Sequence, residues 1–195
     1  MTRRVSVGDY LELPEQLRPQ ELVWGMIREP PAPKYGHQSV VGRVFFELET
    51  HVRARDLGVV CVAPLDVILD TRRGLVLQPD VLFVSRERTH LIRDQVWGPP
   101  DLVVEVVSRR TVIRDRTTKV SWYRRYGVRE CWIVEPPSRT VIVINLAVRG
   151  RRGFRFFTGD DRVVSVVLPR LDLPASEYFS ERMKDLSTGS PTEPR

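Results

Sequence analysis

The chain has 195 residues, enough for one domain with a sizeable core, and its hydrophobic fraction of 42% is that of an ordinary globular protein. Its 31 basic and 25 acidic residues give a formal charge of +6, which suits a polyanionic partner without demanding one. Cys61 and Cys131 are too few and too far apart for a disulfide framework or a thiolate metal site, the N-terminus lacks the apolar stretch of a signal peptide, and no apolar run approaches the roughly 20 residues needed to span a bilayer, so a soluble cytoplasmic protein with no membrane partner is expected.

Ser6 to Leu13 reads as a short helix capped by Ser6 or Asp9 and stopped by Pro14. Glu21 to Ile27 reads as a strand in which Gly25 allows a bend or bulge, and the prolines of 30–34 make a stiff connection. From Gln38 to Asp56 the residues Val41, Val44, Phe45, Leu48 and Val52 recur at three- and four-residue steps, which predicts an amphipathic helix closed by Gly58. Short strands are expected at Val59–Ala63 and Asp66–Asp70, then a turn at 71–74 and one strand from Leu75 through Val84. The charged stretch from Ser85 to Gly98 reads as a loop with at most one helical turn.

Leu102 to Val107 is a mostly β-branched run after Pro99-Pro100, the pattern of a buried strand. Thr111 to Tyr126 then reads as a helix closed by Gly127, and Glu130 to Glu135 as a strand ended by Pro136-Pro137. This order suits a right-handed crossover between parallel strands. Thr140–Val148, Phe154–Thr158 and Arg162–Leu168 look like an antiparallel run, and Leu173–Phe179 like a short closing helix. Residues 1–182 are expected to form a single domain, and 183–195 a disordered tail rich in Ser, Thr, Pro and Gly. The expected fold is α/β of the mixed α+β kind: a mixed β-sheet flanked by two main helices, with additional antiparallel hairpins.

Chemistry concentrates between Pro79 and Lys119. Glu105 sits mid-strand, where an unpartnered charge would cost several kcal/mol, so it must be protonated, ion-paired or bound to a cation. If the strand of Asp80 lies beside that of Glu105, at the usual spacing of about 4.7 to 4.9 Å, the two carboxylates can converge on one ion. Magnesium takes hard oxygen ligands and keeps several waters, so two carboxylates and a main-chain carbonyl suffice; bound there it would polarise a phosphoryl oxygen and activate water. Lysine occurs only at 34, 119 and 184 among many arginines, which draws attention to Lys119.

Pro79-Asp80, then Glu105 on a strand, then a basic residue, resembles the PD-(D/E)XK nuclease superfamily. More narrowly, the run from Pro100 to Ser108, followed by Asp115, Lys119 and Tyr123 and by Gly127 through Pro136, resembles the Uma2 family, whose name records an expectation of restriction activity. Glu21 to Gly25 and His37 extend the likeness to most of residues 5–180. The resemblance implies a restriction-endonuclease-like core in which Asp80 and Glu105 hold Mg2+, or Mn2+ in its place, with the carbonyl of Val106 as third ligand. The superfamily's usual lysine position, two after the glutamate, is Val107 here, and the resemblance implies that Lys119 supplies the ammonium from the next helix.

Plainer readings stand beside these. Asp80 and Asp101, each after a proline, fit turns or strand starts. Asp115 and Lys119 fit an i, i+4 pair on a solvated face, and Glu105 could pair with Arg109 or Lys119 without metal. Glu21 reads either as a metal or outer contact or as an exposed strand-start charge, and His37 as a phosphate contact or a helix-start contact. Trp122, Tyr123 and Trp132 read as core. Arg109, Arg110, Arg114 and Arg116 could steer a phosphate backbone, as any arginine-rich surface could. The expectation is a Mg2+-dependent endonuclease acting on nucleic acid, most naturally DNA, with Asp80, Glu105 and Lys119 catalytic and a homodimer suited to cutting both strands. The competing expectations are a non-catalytic nucleic-acid-binding protein on the same fold, and a fold whose carboxylates and lysine form only a structural ion network.

Overall fold

The computed structural model describes residues 4–14, 19–107 and 113–180, and in the last stretch the side chains from residue 118 onward. The expected tail, 183–195, lies outside the described residues. Helix α1 (Val7–Leu11) begins at Ser6, whose hydroxyl accepts from the Asp9 backbone while the Asp9 carboxylate accepts from the Ser6 backbone, a reciprocal cap. The strand expected at Glu21 to Ile27 is instead a hairpin, β1 (Glu21–Val23) and β2 (Met26–Arg28). Trp24 and Gly25 take φ of +55° and +76°, the left-handed pair that lets a two-residue turn follow the strand twist.

Helix α2 (Tyr35–Ala54) buries Val41, Val44, Leu48 and Val52 as one stripe, each side chain contributing about 1.5–3 kcal/mol on leaving water. It ends through Asp56 at φ +52°, with the Leu57 N–H returning to Val52, so the expected stop at Gly58 is displaced by two residues. Gly58 opens β3 (Gly58–Val62) for a different reason: a Cβ there would lie 2.1 Å from the Val84 carbonyl oxygen.

The next strands are β4 (Val67–Asp70), β5 (Leu75–Leu77) and β6 (Val81–Ser85). The single strand expected from Leu75 through Val84 is therefore cut at Gln78-Pro79-Asp80, where Pro79 offers no ladder donor, and its halves enter different sheets. A 3-10 turn at Arg86–Leu91 and a two-residue β7 (Val96–Trp97) interrupt the expected loop. Strand β8 (Leu102–Val106), helix α3 (Ile113–Tyr126) and strand β9 (Glu130–Glu135) follow, with β8 and β9 parallel as the crossover reading requires. Strands β10 (Thr140–Asn145) and β11 (Phe154–Thr158) complete an antiparallel edge, and the closing helix is a 3-10 turn at Ala175–Phe179.

Arg162–Leu168 is not a strand. The Val166 N–H goes to the buried Glu130 carboxylate and those of Val167 and Leu168 to the Ser165 hydroxyl, so side chains take the donors a ladder would need.

The strands form a six-stranded sheet in the order β11-β10-β9-β8-β6-β3 and a five-stranded sheet in the order β2-β1-β5-β4-β7, both mixed. The hairpins β1–β2 and β4–β5 thus build a second sheet, while the expected β10–β11 pair extends the first. One face of the larger sheet, carrying Val81, Phe83, Val104, Val106, Trp132 and Val134, packs on α2. The other, carrying Val103, Val107, Cys131 and Ile133, packs on Tyr123 of α3 and on Val23, Leu75 and Leu77 of the smaller sheet. Strand alternation places Glu105 on this second face, between Val103 and Val107. Among the described residues no helix is long and apolar enough to cross a membrane.

Candidate functional site

Strands β6 and β8 run antiparallel with Val81 opposite Val104, so the residue before Val81 and the residue after Val104, Asp80 and Glu105, face each other at the strand ends. Asp80 is fastened there by the backbone N–H of Val106, which donates to Oδ2 at 2.7 Å. His37, in the first turn of α2, brings Nε2 to 3.4 Å from the same oxygen. The hydrogen bond to Asp80 and the Asp80 charge hold the imidazole above its ordinary pKa against the effect of burial, with the nearby Val106 backbone adding to the rise.

Lys119 enters from α3. Its Nζ lies 2.8 Å from Glu21 Oε1 and 3.3 and 3.4 Å from the two oxygens of Glu105, and one helical turn later Tyr123 donates from its hydroxyl to Glu105 Oε1 at 2.6 Å. Side-chain exposures of 9% for Glu21, 15% for Glu105 and 16% for Lys119, against 19% for Asp80 and 21% for His37, show a cluster sunk below the surface with Asp80 and His37 nearest its mouth. Glu21 is held in turn by the Gln78 N–H at 3.1 Å, and behind it Asp66 accepts from Gln78 Nε2 and the Tyr10 hydroxyl.

The electrostatics follow from this packing. Burial raises the Glu105 carboxyl to about 7; the charges of Asp80 and Glu21 add to the rise, while Lys119 and the Tyr123 hydrogen bond oppose it. Burial alone would lower Lys119, but the Glu105 and Glu21 charges outweigh it and keep the ammonium protonated well above its ordinary pKa. Three carboxylates thus meet one permanent cation, a deficit of positive charge that a divalent ion would answer. Two hard carboxylates from facing strands and the Val106 carbonyl suit magnesium, which takes one or two carboxylates and keeps its remaining waters. Among the described residues no group of three or more His, Cys, Asp and Glu is arranged to hold a metal by itself, so water would have to complete the shell.

The structure therefore gathers Asp80, Glu105, Val106, Lys119, Glu21 and His37. Glu21 is an inward partner of Lys119 and not an exposed strand-start charge, and Lys119 points inward and not to a solvated face. Asp101 stands apart: fully buried, it accepts from the Ser85 N–H at 2.8 Å and from Arg88 and Arg129 at 3.1 Å each, a purely structural clasp. Arg109, Arg110 and the side chains of Arg114, Asp115 and Arg116 lie outside the described residues. Two participants were missed as site residues. Tyr123 reads from sequence as core, although its position four residues after Lys119 already places both on one helix face. Gln78, which holds Glu21 through a backbone N–H, carries no sequence signal.

A parallel strand, helix, strand unit that sets an acidic residue and a lysine against a second carboxylate on a neighbouring antiparallel strand belongs to the restriction-endonuclease-like class of α/β proteins. In agreement, the chain superposes on the crystal structure of a protein titled a "putative nuclease belonging to DUF820" from Anabaena variabilis, with a TM-score of 0.73 over 90% of this chain and 97% of the other at 18% identity. Among curated proteins none matches. The family model of Uma2, described as "Putative restriction endonuclease", matches residues 7–176, and the chain belongs to that family. Membership supports a nuclease function in general terms.

Proposed function

We propose that the chain is a metal-dependent endonuclease that hydrolyses DNA phosphodiester bonds. The observation that carries this reading is the β6–β8 pairing that faces Asp80 with Glu105 while Lys119 reaches the same carboxylate from α3. Asp80, Glu105 and the Val106 carbonyl would hold Mg2+, with Mn2+ an acceptable substitute. A divalent ion bound there supplies Lewis acidity toward a phosphoryl oxygen and acidifies a water molecule.

The protein's own groups do the rest. The Lys119 ammonium, charged at any physiological pH, stabilises negative charge on the phosphate as it becomes pentacovalent, a role its raised pKa favours over that of a proton acceptor. Glu21 fixes where that ammonium stands, and Tyr123 fixes the Glu105 carboxylate. His37 braces Asp80 from α2 and stands at the mouth where a phosphate would enter. Attack of a water oxygen on phosphorus forms one P–O bond as the bond to O3′ breaks; the water proton is lost to solvent and O3′ is protonated, leaving a 5′-phosphate and a 3′-hydroxyl. Cutting both strands at once would call for two copies of the chain.

A second reading has its own observation. Lys119 already bridges Glu21 and Glu105, so these two carboxylates are paired without metal, which suits a nucleic-acid-binding protein that does no chemistry. Incubation with supercoiled plasmid and single-stranded DNA, with magnesium, manganese or chelator, separates the two. Nicking that requires metal and vanishes in Glu105→Ala is the expected result; salt-sensitive binding without cleavage in both proteins would select the binder.

A further inference from the structure

A cleft of about 500 Å3 opens between the segment leading into α1, the β1–β2 turn and the β4–β5 turn. Arg4, Arg72 and Arg73 line it together with Trp24. All three arginines are exposed, and among the described residues none forms an ion pair within 4 Å. Their backbones are nevertheless held. The Gly25 N–H donates to the Gly74 carbonyl at 3.2 Å, clasping the two turns together, and the Val5 N–H donates to the Gly25 carbonyl at 2.9 Å, which pins Arg4 to the rim. Glycine is required at both turns: a Cβ on Gly25 would meet Arg4 Cβ at 2.9 Å, and one on Gly74 the Gly25 nitrogen at 3.0 Å. In the β4–β5 turn the N–H groups of Arg72 and Arg73 donate to Asp70 Oδ1 at 3.0 and 2.9 Å, and Tyr126 of α3 donates to Asp70 Oδ2 at 2.6 Å.

Trp24 is the unexpected member. Its φ of +55° is one that a bulky residue adopts at a cost and that Asn or Gly would take easily, so the position retains an indole against backbone preference. One edge of the ring packs on Trp122 with centroids 5.5 Å apart, and the residue also lines the cleft. Three guanidinium groups with no ion pair within 4 Å, of which Arg73 also feels the Asp70 charge, and an indole on a braced frame are the donors and the stacking surface that a nucleotide presents itself to.

The frame also fixes the cleft relative to the carboxylates. Trp122 follows Lys119 by three residues, a rise of about 4.5 Å along a helix, and Trp24 follows Glu21 by three residues, about 10 Å along extended chain. A nucleic-acid strand rising about 3.4 Å per nucleotide covers intervals of that size in about one to three nucleotides. We propose that the Arg4–Arg72–Arg73–Trp24 cleft binds a backbone phosphate of the substrate strand about one to three nucleotides from the bond to be cut. This assignment rests on the nuclease reading and adds to it the anchor that places the strand.

The test is anisotropy of labelled single- and double-stranded oligonucleotides in chelator over a series of salt concentrations. The proteins are the parent, R72A/R73A, R72K/R73K, Glu105→Gln, and R151A/R155A, which removes the same charge near the β11 edge of the other sheet. R72A/R73A keeps the backbone N–H groups that bind Asp70, so the turn should fold. Expected are a loss of about tenfold in affinity and a shallower log K against log salt slope, by about 0.7 to 0.9 per phosphate contact removed. The lysine pair should restore most of the slope, and Glu105→Gln, which removes a carboxylate from the site of the scissile phosphate, should bind at least as tightly as the parent. Equal binding by R72A/R73A and R151A/R155A would overturn the cleft assignment and leave the nuclease reading standing. If R72A/R73A loses only competition by inorganic pyrophosphate, the cleft takes a small phosphorylated ligand and the backbone assignment falls. If the parent binds no oligonucleotide in chelator, the cleft assignment falls, and metal-dependent plasmid nicking decides the nuclease reading separately.

Discussion

The Tyr123 hydroxyl donates to Glu105 Oε1 at 2.6 Å, and both residues lie beneath the surface, on a helix and on the strand that precedes it. This bond and the Lys119 contacts are the only polar partners of Glu105 among the described side chains. They make the crossover helix α3 a clamp on the strand it returns from. Tyr123→Phe keeps the ring and removes the bond, and is expected to cost about 1.5–3 kcal/mol for a hydrogen bond to a buried charged group. Urea unfolding of the two proteins measures it. The variant should also lose activity, since its carboxylate is no longer held.

The pH dependence of stability in chelator should carry the Glu105 signature. Burial raises its carboxyl from 4.5 to about 7, so the folded protein binds this proton more tightly than the unfolded chain does. Stability from this group is therefore greatest at low pH and declines as pH rises across that interval. From its ordinary value of 6.5 upward His37, also raised, adds a decline of the same sign as it loses its proton. Thermal midpoints of the parent minus those of Glu105→Gln should fall between pH 4.5 and 7; a flat difference would show that Glu105 ionises normally.

Magnesium should protect the fold as well as support cleavage. An ion that binds the folded state alone stabilises it by about 2.7 kcal/mol at a hundredfold excess over its Kd. Asp80→Asn keeps one oxygen to accept the Val106 N–H but removes the charge. The parent's thermal midpoint should rise with magnesium and that of Asp80→Asn should not.

Lys119→Met separates structure from chemistry. Removing the ammonium leaves Glu21 and Glu105 uncompensated, and breaking such a pair costs about 3–5 kcal/mol when fully buried, somewhat less at this depth. The cleavage rate of the folded fraction should drop by about 10²–10³-fold, the usual effect of losing one charge-stabilising donor. Plasmid nicking normalised to folded protein by circular dichroism reads both quantities.

Asp101→Asn supplies the contrast. Burial works against the Asp101 charge, but the Ser85 N–H, Arg88 and Arg129 together hold its pKa below the ordinary value. Its contribution to stability is present above pH 3.8 and is lost as pH falls through the folded value. Because Arg129 is 56% and Arg88 28% exposed, solvent screens the pairs and a loss of about 2 kcal/mol is expected. Cleavage per folded molecule should be unchanged, which denaturation and nicking assays on one preparation can establish.

Sequence alone determined the features that depend on neighbours along the chain. The α2 stripe, the buried run of β8, the helix closed by Gly127 and the strand of Trp132 follow from side-chain period and from turn residues, which are local properties. The oddity of Glu105 was equally legible, because a carboxylate within a β-branched run is a conflict visible without coordinates. Tertiary structure alone decided what resolves that conflict. The cut at Gln78-Pro79-Asp80 that sends β5 and β6 to different sheets, the register that faces Asp80 with Glu105, and the reach of Glu21 to Lys119 all depend on segments far apart in sequence. Their meeting is set by which strands pair and which face each helix covers, and those choices minimise the apolar surface left exposed to water over the whole molecule, a sum that no local window contains.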